Sequence, residues 1–115
     1  MKLINIINEA DETKPGDVYV NKRSGEIFLV LGSFKSDFGT KWDGVEFMLK
    51  GKHPPYISAG SSTTVAEPKA WDGYKKIKLA SKDKKTIQKL LKDPENKAQL
   101  SRADTNVKDV ERYIR

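Results

Sequence analysis

Nine lysines fall between residues 69 and 92 (Lys69, Lys75, Lys76, Lys78, Lys82, Lys84, Lys85, Lys89 and Lys92) against only Asp72 and Asp83. An ammonium group is a compact point charge that neutralises a phosphate and releases its counterion, but lacks the fork geometry with which arginine reads a base edge. No arginine lies in the stretch. The chemistry implied is therefore contact with a phosphate backbone, largely without sequence discrimination. Trp71 and Tyr74 stand beside these lysines and could stack on unpaired bases, as could Trp42, Tyr19 and Tyr56. The candidate nucleic-acid-binding residues are Lys75, Lys76, Lys78, Lys82, Lys85, Lys89, Lys92, Trp71 and Tyr74. An acidic protein surface meeting the same lysines is the other partner considered, in a protein-interaction or inhibitor domain. A solvated helix face with no partner is the plainest reading of all.

Other chemistries find little support in the residues. The absence of cysteine removes disulfides, thiol catalysis and Cys-ligated zinc together. His53 is the single histidine, which leaves neither a His-rich metal site nor a second candidate base, and Lys52-His53-Pro54-Pro55 reads as loop. Gly51-Lys52 is preceded at the fifth position by Glu46 rather than glycine, so the phosphate-cradling P-loop pattern is missing. No two carboxylates stand out as an acid/base pair. Gly60-Ser61-Ser62-Thr63-Thr64 could form an anion-binding nest of amides and hydroxyls, or simply a polar loop. The expectation is a protein that is not an enzyme and has no metal or cofactor. Met1-Lys2-Leu3-Ile4-Asn5-Ile6-Ile7-Asn8 is too short and polar for a signal peptide or membrane span, so the expected location is cytoplasmic, with no membrane partner.

The elements that position the lysines begin upstream. The chain has 115 residues, a formal net charge of +6 and a sequence pI near 9.5, enough for one domain with a modest core and a bias towards acidic partners. Residues beyond the lysine-rich stretch nearly cancel one another. Pro15-Gly16 marks a turn into Asp17-Val18-Tyr19-Val20-Asn21, whose alternation places Val18 and Val20 on one face. Lys22-Arg23-Ser24-Gly25 then closes a β-hairpin with Gly25 at positive φ. The returning run, Ile27 to Leu31, is apolar throughout, as expected for a central strand covered on both faces, with a buried helix as the alternative that periodicity alone leaves open. Met1 to Ile7 reads as a strand, with a short helix as competitor.

Further on, Ser33 to Thr40 reads as a strand end and loop. Asp43-Gly44, between Trp42 and Val45-Glu46-Phe47-Met48-Leu49, reads as the turn of a second hairpin. Trp-Asp-Gly recurs at residues 71–73, and two separate turns of the same chemistry account for this better than a duplicated unit. Gly51 to Thr64, rich in Gly, Pro, Ser and Thr, is expected to be an exposed loop. Strand signals resume at Thr63-Thr64-Val65 and from Tyr74 to Leu79.

The final third changes period. Ser81 is placed to cap a helix over Lys82 to Lys92, in which Ile87, Leu90 and Leu91 share one side while Lys82, Lys85, Lys89 and Lys92 form a ridge opposite. Asp93-Pro94 stops or restarts it. A last helix from Val107 to Ile114, capped by Asn106, turns Val107, Val110, Tyr113 and Ile114 inward. The core expected from these patterns is Val18, Val20, Ile27, Leu29, Leu31, Val45, Phe47, Leu49, Leu90 and Val110.

The hairpin Lys14-Pro15-Gly16-Asp17-Val18-Tyr19-Val20, with Gly25-Glu26-Ile27-Phe28-Leu29-Val30-Leu31-Gly32, resembles the opening of small SH3-like barrels, including KOW-type modules and small prokaryotic and phage proteins. It covers about a fifth of the chain. The resemblance implies a barrel whose loops at one end meet nucleic acid or protein. The same stretch resembles the start of MazF-like ribonuclease toxins but lacks the Pro and Gln pattern that follows there, so no toxin activity is carried over. The fold expected is α+β: an antiparallel, partly closed SH3-like barrel over residues 1–80, then two or three short helices in a C-terminal extension over 81–115.

Overall fold

The computed structural model describes residues 13–37, 39–64 and 71–114. The strand expected at Met1 to Ile7 lies outside them, as do Val65 and Lys69. The architecture is α+β: a five-stranded antiparallel sheet, open rather than closed, followed by three helices. The strands are β1 (Val18–Asn21), β2 (Ile27–Ser36), β3 (Gly39–Met48), β4 (Tyr56–Thr64) and β5 (Tyr74–Ile77), in the order β4-β3-β2-β1-β5. The helices are α1 (Ser81–Lys92), α2 (Pro94–Arg102) and α3 (Val107–Ile114).

The first hairpin forms as the residues require. Gly25 takes φ 78°, and the Asn21 side chain accepts hydrogen bonds from the amides of Arg23 and Ser24, bending the chain back. Val18 faces Leu29 across the β1–β2 pair, and Val20 faces Ile27. These residues join Val45, Phe47 and Ile57 on one face of the sheet, where Ile87 and Leu91 of α1, Leu100 of α2, and Val110 and Ile114 of α3 complete a single core. Sheet and helices thus bury their apolar surfaces against each other. Of the expected core, Val20, Leu31, Leu49 and Leu90 are only partly buried, at its margin.

The opposite face holds a smaller cluster. Tyr19, Phe28 and Val30 are buried there beneath half-buried Trp42, Trp71 and Tyr74. Residues Ile27 to Val30 are buried on both sides, as their unbroken apolar run requires. Tyr19, which alternation places on the polar side of β1, is 1% exposed, and its hydroxyl is 3.1 Å from that of buried Thr13.

Three loop assignments are corrected. Ser33 to Ser36 continues β2, and the chain turns at Asp37 with Gly39 at φ 107°. Trp42, Asp43 and Gly44 therefore lie inside β3, where no turn occurs. Gly44 is there because its missing side chain leaves room for the Phe28 ring. The second Trp-Asp-Gly is a true turn, with Gly73 at φ 80°. Of the loop expected over Gly51 to Thr64, only the exposed stretch to Pro55 is loop, because Tyr56–Thr64 pairs with β3.

The helix ends follow local chemistry with one exception. Ser81 is the first helical residue rather than the cap; Ala80 occupies the cap position, with no side-chain hydrogen bond. Asp93 caps α2 by accepting from the amide of Glu95 at 2.9 Å, with Pro94 in the first turn. That helix closes in a Schellman arrangement, with the amide of Thr105 on the Leu100 carbonyl, the amide of Asp104 on Ser101, and Asp104 at φ 57°. Asn106 caps α3 by accepting from the amide of Lys108.

Candidate nucleic-acid interface

The apolar stripe of α1 decides where its lysines go. Because Ile87 and Leu91 are sunk in the core, residues half a turn away must face solvent, and Lys82, Lys85, Lys89 and Lys92 are all exposed. Among the described residues, no carboxylate lies within ion-pairing distance of these four. Ten residues of helix separate the first from the last, a ridge of about 15 Å at 1.5 Å per residue. Lys89 and Lys92 also occupy the last turn, where positive charge complements the helix dipole.

The remaining candidates lie on the neighbouring strand and turn. Lys75 pairs with Val20 and Lys76 with Tyr19, so the two leave β5 on opposite faces of the sheet. Lys76 sits on the aromatic side, 3.4 Å from an Asp17 carboxylate oxygen. Lys78, past the end of the strand, is exposed. Trp71 packs edge-on against Phe28 at 4.9 Å between ring centres and against Tyr74 at 4.8 Å. These rings roof the small cluster over Tyr19 and Phe28. The nine candidates thus divide into the α1 ridge and Lys75 on the helical side of the sheet, and the group of Trp71, Tyr74 and Lys76 on the other side. Lys78 lies near the edge between them.

Gly60 to Thr64 does not form a nest. The stretch is extended and paired with β3, Ser62 opposite Gly44 and Thr64 opposite Trp42, whereas a nest needs alternating right- and left-handed backbone. His53 is exposed in its loop. No group of three or more His, Asp or Glu among the described residues is placed to hold a metal ion, and no helix among them is long and apolar enough to cross a membrane.

Two clefts flank the sheet. One, of about 230 Å³, is lined by Phe34, Asp43, Asp104 and Asp109. The other, of about 290 Å³, lies where β5 runs towards α1 and is lined by Asp17, Lys76, Lys78, Leu79, Lys84 and Tyr113 among others. Lys84, Asp17 and Tyr113 escaped the sequence reading as site residues. Lys84 is one more member of a lysine run, and only packing shows that it borders β5. Compared with protein-family models, curated proteins and solved structures, the chain matches none.

Proposed function

We propose that this protein is a small basic nucleic-acid-binding protein that contacts the phosphate backbone largely without sequence specificity. The α1 ridge carries the reading: four exposed lysines in a row, with no ion-pair partner among the described residues. A length of about 15 Å matches the axial rise of about four phosphates on one strand of duplex DNA. Lysine supplies charge without base-reading geometry, hence backbone contact. The aromatic pair is secondary, since Trp71 is already packed edge-to-face with both Phe28 and Tyr74.

The strand arrangement we read as SH3-like, in a sheet that is open where a partly closed barrel was expected. In support, β5 lies beside β1 rather than β4, every neighbouring pair is antiparallel, and irregular register at Val30/Gly32 and on both sides of Glu46 bends the long strands. Barrels of the kind the opening hairpin resembles bind nucleic acid or protein partners, which agrees with a charged surface beside β5.

The test is binding to duplex and single-stranded oligonucleotides of mixed sequence across a salt series. Four neutralised phosphates predict a log–log slope of about −3.6 on duplex, and sequence-independent dissociation constants of about 10⁻⁴ to 10⁻⁶ M near physiological salt. Absence of binding at about 0.15 M salt, together with nuclease-resistant capture of an acidic protein, would replace this reading with the protein-interaction one.

A further inference from the structure

We infer that the α1 ridge selects a nucleic-acid duplex over a single strand; this rests on the nucleic-acid reading and adds the class of partner to it. At 3.6 residues per turn and 1.5 Å per residue, Lys82, Lys85, Lys89 and Lys92 fall within an arc of about 80° and stand about 4.5, 6 and 4.5 Å apart along the axis. They form a straight row fixed by the helix, and Ile87 and Leu91 in the core hold the helix in place. A duplex is a stiff array with one charge per about 1.7 Å of axis. It meets such a row without being reshaped, whereas a flexible single strand loses conformational freedom in lying along it.

Single strands recover that loss by stacking bases on aromatic rings, and one stacked base is worth roughly 5- to 150-fold in affinity. The rings of this protein are not where the ridge is. Trp42, Trp71 and Tyr74 pack over Tyr19, Phe28 and Val30 on one face of the sheet, while Ile87 and Leu91 seat α1 on the other. The sheet therefore stands between the lysines and these rings. Exposed Tyr56, the neighbour of core Ile57 in β4, faces the aromatic side as well. Tyr113 is packed against the core and against Gly16. Phe34, 50% exposed, shares the helical side, because it pairs with Lys41, whose neighbour Trp42 turns to the aromatic face. Its cleft, however, has Asp43, Asp104 and Asp109 among the described lining residues, with no lysine and nothing from α1. A strand following the ridge gains charge contacts and no stacking.

Four neutralised phosphates give log–log salt slopes of about −3.6 on duplex and about −2.8 on single strand. Starting from equal affinity at about 1 M salt, the duplex is then favoured about sixfold at about 0.1 M. One stacked base would nearly cancel or reverse that preference. The experiment titrates the full chain with a duplex and a single strand of equal length and mixed sequence between about 0.05 and 0.2 M salt, and follows tryptophan emission, which arises from Trp42 and Trp71 alone. The duplex should bind about sixfold tighter at about 0.1 M salt, by a margin that narrows as salt rises, with emission unchanged. Lys85→Gln with Lys89→Gln leaves two contacts and should reduce the margin to about 2.5-fold. Equal or tighter binding of the single strand would overturn the inference and leave the nucleic-acid reading standing; quenched emission in that complex would move the site to the face of Trp71. A sixfold margin undiminished in the double variant would also overturn it, because the selectivity would then lie outside the ridge. If neither nucleic acid binds, the nucleic-acid reading falls and the duplex preference with it.

Discussion

The ring of Phe28 fills the space that a side chain at Gly44 would need. A Cβ built on Gly44 would overlap Phe28 Cζ and the carbonyl oxygen of Leu29, and would stand 2.8 Å from Phe28 Cε1. Gly44 has no positive φ, so its role is close approach and not a turn. Gly44→Ala should therefore destabilise the protein by about 1–3 kcal/mol, the range for overpacking a tight site. Gly32→Ala, with nothing within 4 Å of its added Cβ, should cost far less. Urea unfolding of the two variants checks this; equal midpoints would show that Phe28 can move aside.

Leu29 is fully buried near the start of β2 and packs into the core shared by sheet and helices. Leu29→Ala should cost about 2–5 kcal/mol. Lys22→Ala, at the exposed hairpin tip, should stay within about 0.5 kcal/mol. Since both helices and strands border Leu29, its truncation should lower near- and far-ultraviolet melting transitions together, and separate transitions would contradict one shared core.

The two helix starts differ in a measurable way. Asp93→Ala removes a side-chain cap and should cost about 0.5–2 kcal/mol. Ser81→Ala removes no cap, and serine in a first turn gains little from its hydroxyl, so a change near zero is expected. A larger loss at Ser81 than at Asp93 in thermal unfolding would reverse the cap assignment.

Lys85 and Lys89 stand one turn apart on the side of α1 facing away from Ile87 and Leu91. Replacing both by Gln keeps helix propensity and removes two phosphate contacts. The salt slope on duplex should flatten by about 1.8 units, with stability nearly unchanged. An unaltered slope, with binding otherwise intact, would place the phosphate contacts elsewhere on the molecule.

Much of the fold was legible because it depends on neighbours. The Gly25 turn, the Asp93-Pro94 break, the Asn106 cap and the stripe of Ile87 and Leu91 are each settled within a turn of helix or a tight bend, so residue type and spacing suffice. The exposure of Lys82, Lys85, Lys89 and Lys92 follows from the same periodicity. Ser81 misled because a good cap residue can equally serve as a first helical residue once the preceding backbone is extended, as it is at Ala80.

Tertiary structure decided the rest. The same tripeptide is a turn at residues 71–73 and mid-strand at residues 42–44, because only at the latter does a distant aromatic ring need the room. Ser- and Thr-rich residues 56–64 became a strand because β3 offered a paired edge, and pairing energy from a remote strand outweighs weak local propensity. The nine candidate binding residues, close in sequence, ended on two sides of one sheet. Successive residues of β5 must point to opposite faces, and only the register with β1 determines which lysine joins the aromatic rings and which the helices.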